Sequence, residues 1–206
     1  MKLKIITDRE LDKDLIQFLK SRFYVINRCS FNLSLTYIIP YKIGDLFYVR
    51  CVEECDEVII VVTNEPIGYA RIRAIRESSN EWIFLMDADG QYPFELVSKV
   101  KEFIVHEKPR IGFLINRKGG FQNPKYTLEA GVVIKKDLAL KVSELFLKNN
   151  WKDKRADIGI HIKHIDLPIF TNGYYMHDFA KGERSIIDTS LLTIMLISTL
   201  TLLFIP

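Results

Sequence analysis

The sequence predicts an α/β fold in which a mostly parallel sheet carries helices on both faces. Strand and helix patterns alternate over the first ninety residues, as they do when parallel strands are joined by helical crossovers. Two strand patterns, residues 58–63 (VIIVVT) and 82–86 (WIFLM), are continuously apolar, which is typical of strands buried on both faces. A length of 206 residues is sufficient for one domain of this class.

The first half of the chain is predicted to contain four strands and three helices. Asp8 follows a short strand pattern and stands at the N-cap position of an apolar helical repeat. Asn64-Glu65-Pro66 opens a further helix, because proline favours the first helical turn. In chain order the predicted elements are strand 3–7, helix 11–19, strand 23–26, helix 44–55, strand 58–63, the helix opening at 64–66 and strand 82–86.

After residue 89 the pattern is less regular, and no internal repeat or linker is visible. Pro93 marks the first turn of an amphipathic helix, and Pro168 confines the last strand pattern to a sheet edge. The predicted elements are helix 93–105, strand 111–115, a mobile loop over 117–126, strand 130–134, helix 137–149, a helix at 158–162 and an edge strand at 165–170.

The charge balance argues against a nucleic-acid partner. Subtracting 26 acidic from 29 basic side chains leaves a net charge of +3, which gives no basic footprint for phosphate contacts. Every charge lies at or before Asp188, and the eighteen residues 189–206 (TSLLTIMLISTLTLLFIP) carry none. A near-neutral globular body of residues 1–188 is therefore predicted to end in an apolar helix.

The three cysteines are predicted to be free thiols in a reducing compartment. Cys29, Cys51 and Cys55 are too few and too irregularly spaced for a disulfide scaffold. A zinc site is also disfavoured, because no second Cys/His pair lies at a spacing that matches Cys51 and Cys55.

Two carboxylates at the end of a buried strand are the most informative feature. Asp87 and Asp89 follow the apolar run 82–86, and open α/β sheets bind ligands at the carboxyl ends of their strands. Paired carboxylates suit Mg²⁺ or Mn²⁺ bridging a diphosphate. The alternative is a pair of aspartates that only caps the turn before the next helix.

This pattern resembles the metal-binding motif of glycosyltransferases with the GT-A fold, above all the family 2 enzymes that use polyprenyl-phosphate acceptors. The resemblance rests on residues 87–91 (DADGQ), on residues 64–71 (NEPIGYAR) before them, and on residues 166–169 (DLPI) and 181–185 (KGERS) after them. It implies a nucleotide-diphosphate sugar donor and a catalytic body over residues 1–188.

The resemblance also implies a set of donor-binding residues. Members of the family usually carry Pro-x-Tyr-Asn after the first strand and Asp-Asp-x-Ser after the second, whereas this chain has Thr7-Asp8 and residues 27–30 (NRCS) there. The implied nucleotide-sugar site consists of Thr7, Asp8, Asn64, Arg71, Asp87 and Arg184.

The last third of the chain contains candidates for a catalytic base and for a third metal ligand. Asp157 resembles the family residue that deprotonates the acceptor, although an aspartate there also suits a helix N-cap. His177 follows a turn and is implied as the third ligand of Mn²⁺ or Mg²⁺, beside Asp87 and Asp89.

The apolar end predicts a membrane partner. Eighteen helical residues span about 27 Å, close to the thickness of a hydrocarbon core. The alternatives are a helix buried in the body or an oligomer contact. Lys181 and Arg184 precede this segment and are predicted either to grip the diphosphate or to mark the cytoplasmic side of the membrane.

Together these observations predict a metal-dependent, inverting hexosyltransferase that is anchored through residues 189–206 at the cytoplasmic face of a membrane. It would move a sugar from a nucleotide diphosphate to a lipid-linked or membrane-proximal acceptor. The alternatives are a sugar nucleotidyltransferase and a non-catalytic, membrane-tethered module with the same fold. The nucleotidyltransferase is disfavoured because residues 7–10 (TDRE) do not form a Gly-rich, basic loop after the first strand.

Overall fold

The computed structural model describes residues 1–109, 112–115, 117–118, 126–128, 130–148, 158–161, 169–170 and 176–178. The helices in this part of the chain are α1 (Lys13–Lys20), α2 (Ile67–Glu77), α3 (Leu96–Glu107) and α4 (Lys136–Lys148). The strands are β1 (Lys2–Thr7), β2 (Phe23–Ile26), β3 (Leu35–Tyr41), β4 (Arg50–Glu53), β5 (Glu57–Val62), β6 (Trp82–Leu85), β7 (Gly90–Gln91), β8 (Gly112–Ile115), β9 (Arg117–Lys118), β10 (Tyr126–Leu128), β11 (Val132–Lys135), β12 (Ile158–His161), β13 (Ile169–Phe170) and β14 (Met176–Asp178).

Seven strands form the main sheet in the order β1-β5-β3-β6-β11-β8-β13. The four strands β1, β5, β3 and β6 are parallel, β11 runs antiparallel to both of its neighbours, and β13 is parallel to β8. The predicted α/β architecture with a mostly parallel sheet is therefore confirmed, and β13 lies at the edge where the last strand was expected.

Helices cover both faces of the sheet because successive strand residues point to opposite sides. Tyr37 and Ile39 of β3 belong to one apolar cluster, which includes buried residues of α1 and α3. Ile38 belongs to a second cluster, which includes buried residues of α2 and α4. The continuous apolar pattern of the central strands is thus explained by burial on both faces.

The central strand β3 was not predicted. It lies between β5 and β6 although it contains Pro40, a residue that normally excludes a segment from the interior of a sheet. Ile38 accepts from the Met86 amide at 2.9 Å, so the even-numbered residues of β3 direct their backbone groups toward β6. Pro40 lies beyond the last β3–β6 pair, and its missing N–H therefore leaves no ladder bond unmade.

Three other local predictions were wrong. Residues 44–55 do not form a helix, because β4 pairs along its length with β2 and all four of its residues are buried. Residues 158–161 form β12, which pairs with β10. The N-cap of α1 is Asp12, which accepts from the Asp14 amide at 3.0 Å; Asp8 accepts instead from Thr63 Oγ1 at 3.3 Å.

The expectation of free thiols was wrong for two of the three cysteines. Cys29 and Cys55 form a disulfide with a Cα–Cα distance of 5.5 Å, whereas Cys51 is buried and free. The two half-cystines follow β2 and β4, which pair in parallel. The carboxyl ends of these strands therefore bring together two residues that are 26 positions apart. We call this pair of strands and its disulfide the β2–β4 ribbon.

The apolar segment 189–206 lies outside the described residues, and the predicted boundary at residue 188 therefore remains a prediction. Among the helices of the described part, none combines the length and the hydropathy needed to cross a bilayer.

Candidate active site

The carboxyl ends of β5, β3 and β6 meet at one edge of the sheet. Strand β3 pairs with β5 on one side and with β6 on the other, so the sheet extends from β3 in both directions. Open α/β sheets bind their ligands outside the carboxyl ends of their strands. Residues 87–90 (Asp-Ala-Asp-Gly), which we call the acidic turn, follow β6 at this edge.

Arg50 holds the acidic turn from the inside of the protein. Its Nη1 donates to the Gly90 carbonyl at 3.2 Å, and its Nη2 donates to the carbonyls of Asp87 and Ala88, the latter at 2.8 Å. The residue is 1% exposed. Burial lowers the pKa of Arg50, and the nearby charges, including those of Asp87 and Asp89, act in the opposite direction.

Aromatic rings complete the support of the turn. The Arg50 guanidinium lies 5.3 Å from the ring centroid of Phe47 and 4.8 Å from that of Tyr92, distances at which a cation is attracted to a ring face. Tyr92 also accepts from the Asp87 amide at 2.9 Å through its hydroxyl oxygen. Its ring approaches Gly90 so closely that a Cβ there would lie 2.8 Å from Tyr92 Cε2.

Arg71 of α2 fixes the first carboxylate of the turn. Its Nη2 lies 2.8 Å from Asp87 Oδ1, and the Arg71 side chain is fully buried whereas that of Asp87 is 21% exposed. A charged hydrogen bond in such a partly buried place is strong and directional. The structure therefore brings together two residues that the sequence proposed for one site.

The backbone register brings a third predicted residue beside the turn. Strand β14 pairs antiparallel with β7, so that His177 lies opposite Gln91 and Asp178 opposite Gly90. His177 is 86 positions beyond Gln91 in the chain, and this pairing places its backbone next to the acidic turn.

The profile of glycosyl transferase family 2 matches residues 49–165, which is more than half of the 206-residue chain. The chain belongs to glycosyl transferase family 2. The predicted family is thereby confirmed. Within the matched range lie β4 with Arg50, helix α2 with Arg71 and the acidic turn itself.

Crystal structures of S. aureus TarS are similar to this family 2 chain. TarS 1-349 in complex with UDP is 15% identical with a TM-score of 0.48, and the match covers 70% of this chain and 60% of that one. The complex with UDP-GlcNAc is 14% identical with a TM-score of 0.46 and coverages of 74% and 60%. The chain thus spans about 60% of the length of TarS 1-349. A search of curated proteins found no match.

The structure does not bring Thr7 and Asp8 to the acidic turn. Thr7 is the last residue of β1, and Asp8 follows it. Two strands lie between β1 and β6, so β1 and β6 are about 14 Å apart at the usual spacing of strands. Asp8 is engaged there by Thr63 at 3.3 Å and by Arg73 at 3.4 Å. The site edge is formed instead by the strand that the sequence prediction missed.

The strand that borders β6 at this edge, β3, ends in Pro40-Tyr41. Asn64, another predicted site residue, is exposed in the loop after β5, next to that end of β3. Asp157 and Arg184 lie outside the described residues.

The side chains of the acidic turn provide some of the ligands that a divalent cation needs. Asp87 and Asp89 are both incompletely buried, and two carboxylates from one turn are ligands that Mg²⁺ and Mn²⁺ accept. In the described residues, no group of three or more His, Cys, Asp or Glu could hold a metal ion. A complete ligand set therefore requires a further group, for which His177 is the prediction.

Sequence reasoning found Asp87, Asp89 and Arg71 but missed Arg50 and Tyr92. Tyr92 lies only five positions from its partner Asp87, in the turn after Asp89 (GQYP), so its nearness to the motif is the one signal that could have indicated it. Arg50 gave no such signal, since its partners lie 37 to 40 positions away.

Proposed function

We propose that this chain is a metal-dependent, inverting glycosyltransferase that takes its sugar from a nucleotide-diphosphate donor. The observation that carries the proposal is the acidic turn after β6 of a family 2 chain, with Arg71 at 2.8 Å from Asp87. Carboxylates can bind a diphosphate only through a cation, and a buried arginine that fixes one of them keeps that site in one geometry.

The divalent ion would be held by Asp87 and Asp89, with His177 as the proposed third ligand. When bound, Mn²⁺ or Mg²⁺ would offset the charge that develops on the leaving diphosphate. Arg71 orients the Asp87 carboxylate by its buried ion pair. Asp157 is proposed as the base that accepts the acceptor proton, and Arg184 as a cation for the diphosphate.

The acceptor is proposed to be lipid-linked or membrane-proximal. The loop 42–49 between β3 and β4 supports this proposal, because Ile43, Leu46 and Val49 are 42%, 55% and 43% exposed. The loop contacts the site, since the Tyr48 amide donates to the Ala88 carbonyl at 3.1 Å. The uncharged segment 189–206 would supply a second apolar contact.

The test is a panel of UDP- and GDP-sugars, each offered with and without Mn²⁺ and with a soluble or a polyprenyl-phosphate acceptor. We expect a metal-dependent rise in melting temperature with one donor class, and transfer only to the lipid-linked acceptor. Asp89→Asn, which preserves the size of the side chain, should fold but show neither the metal-dependent shift nor transfer.

Three results would contradict parts of the proposal. If no donor shifts the melting temperature with or without metal, the transferase function is wrong. If Asp89→Asn retains transfer, the metal lies elsewhere. Conversion of a nucleoside triphosphate and a sugar phosphate into a nucleotide sugar and diphosphate would instead identify a nucleotidyltransferase.

A further inference from the structure

The carbonyl groups of the acidic turn converge on one buried side chain. Three of its four residues, Asp87, Ala88 and Gly90, direct their carbonyls at the Arg50 guanidinium. We propose that Arg50 is a positioning residue, which fixes the backbone of the acidic turn so that the two aspartates hold their binding geometry before a ligand arrives. This inference rests on the proposed function.

The position of the carboxylates depends on these carbonyls because both belong to the same peptide units. The Asp87 carbonyl also accepts from the Gly90 amide at 3.3 Å, and the Ala88 carbonyl from the Tyr48 amide at 3.1 Å; Arg50 adds a charged donor to both and binds the Gly90 carbonyl as well. Hydrogen bonds from a charged donor are stronger than those between neutral groups. Without Arg50 the turn loses its strongest hydrogen bonds, and its peptide planes would be free to rotate. That rotation would redirect the side chains of Asp87 and Asp89, which leave the same backbone.

Arg50 itself is held firmly, as a positioning residue must be. It begins β4, outside the main sheet, and its amide donates to the Arg22 carbonyl at 2.8 Å. Its Nη1 also donates to the Tyr48 carbonyl at 2.9 Å, and its guanidinium lies over the rings of Phe47 and Tyr92. Arg50 is therefore fixed at its backbone by the β2–β4 ribbon and at its guanidinium by the loop 42–49 and by Tyr92.

Charge balance gives a second reason for this role. Two neighbouring carboxylates repel each other, and the protein places two fully buried cations, Arg50 and Arg71, beside Asp87 and Asp89. The positive charges of the two arginines equal in number the negative charges of the two aspartates. The turn should consequently be formed before a metal or a donor binds.

The experiment compares two variants that each remove a fully buried cation. Arg50→Ala removes the contacts to the turn, whereas Lys101→Met removes a cation whose carboxylate partners are Glu53 and Asp56, at 2.8 Å each and away from the turn. Sugar transfer, Mn²⁺ affinity by electron paramagnetic resonance and the amide resonances of residues 87–90 are measured for both. Millimolar guanidinium is then added, since it can occupy the space that Arg50→Ala leaves.

We expect Arg50→Ala to lose up to about 100-fold in kcat/KM, since a displacement of about 1 Å is enough to cost that much, and to bind Mn²⁺ more weakly. Guanidinium should restore at least part of both losses, because it restores the hydrogen bonds. Lys101→Met should lose thermal stability but keep the Mn²⁺ affinity and the amide resonances of the turn. If Arg50→Ala does not fold, Arg50→Lys is used, whose ammonium cannot reach all three carbonyls and which should lose Mn²⁺ affinity.

The inference is overturned if the two variants lose Mn²⁺ affinity equally, or if the amide resonances of residues 87–90 are unchanged in the Arg50 variant. The measurements on the metal-free and Mn²⁺-bound protein need no sugar donor. A wild type that binds Mn²⁺ through an Arg50-dependent turn but transfers no sugar would therefore refute the proposed function and leave the role of Arg50 intact.

Discussion

At Gly90 the acidic turn has no room for a side chain. A Cβ would lie 2.8 Å from Tyr92 Cε2 and 3.0 Å from its hydroxyl oxygen, and this hydroxyl accepts from the Asp87 amide. Any side chain at position 90 must therefore displace the ring that supports both Asp87 and Arg50. The glycine is needed here for close approach, not for an unusual backbone angle.

We accordingly predict that Gly90→Ala lowers kcat/KM for sugar transfer by at least about tenfold, which corresponds to about 1.4 kcal/mol of transition-state stabilisation. Tyr92→Phe is the matched comparison, since it removes the hydroxyl group and leaves the ring in place. It should lose less activity than Gly90→Ala. Equal activity of wild type and Gly90→Ala in steady-state assays would show that the ring can move without disturbing the turn.

At the scale of elements, the β2–β4 ribbon links the site to the other end of the sheet. Its first residue on β4 is Arg50, which holds the acidic turn, and its last, Glu53, pairs with Lys101 of α3 at 2.8 Å. Two residues after Glu53, Cys55 forms the disulfide with Cys29, which follows β2. The ribbon has only two strands, and two-stranded units are marginally stable alone.

The disulfide should therefore contribute strongly to stability. Its half-cystines are 26 positions apart, and closing a loop of that size stabilises a protein by roughly 3 kcal/mol on the chain-entropy account. We predict that dithiothreitol lowers the melting temperature by about 6–12 °C, at about 2–4 °C per kcal/mol. The Cys29→Ala/Cys55→Ala variant should melt at the lowered temperature and not respond to the reductant; a further decrease would point to another cause.

The same elements show how far the sequence determines a prediction. The strands β5 and β6 and the helix α2 were predicted because a continuous apolar run or a helix opening is a local pattern. Strand β3 was missed because Pro40 is tolerated only through its position beyond the β6 ladder, a property of the neighbour. Strand β4 was predicted as a helix because its burial comes from pairing with β2.

In the candidate site, too, some residues could be predicted from local sequence and others could not. Asp87 and Arg71 were predicted because each belongs to a recognisable segment within a few positions of an element boundary. The contacts of Arg50 with the turn, and the pairing of His177 with Gln91, depend on the packing of segments that are distant in the chain. No periodicity of a single segment encodes such contacts.

At the scale of the whole molecule, acidic side chains lie at both ends of the parallel strands. The acidic turn lies at the carboxyl end, whereas the buried side chains of Glu53 and Glu57 lie near the amino end of β5. Burial opposes their ionisation, but hydrogen bonds from Lys101, Ser30 and Arg28 outweigh it and lower the pKa of Glu53 to about 2. Hydrogen bonds from Lys4, Ser79 and Thr36 outweigh burial in the same way and lower the pKa of Glu57 to about 2.

These pKa values make the stability of the whole protein sensitive to acid. Because both carboxylates bind protons less readily in the folded state than at their ordinary pKa of 4.5, the unfolded chain takes up more protons between about pH 4.5 and pH 2. The free energy of unfolding should thus be constant with respect to these groups above about pH 5 and fall steadily below it. At about 1.4 kcal/mol per unit of pKa, each group contributes up to about 3 kcal/mol.

Glu57→Gln tests this prediction at one of the two groups. The substitution removes the titrating carboxylate from its ion pairs with Lys4 at 2.9 Å and Lys2 at 3.5 Å, and both lysines retain access to water. We predict a less stable protein at pH 7 and a shallower loss of melting temperature between pH 5 and pH 2.5. Glu81→Gln, whose carboxylate is 67% exposed and pairs only at the surface with Lys135, should leave the slope unchanged, and equal slopes for wild type and Glu57→Gln would contradict the assignment.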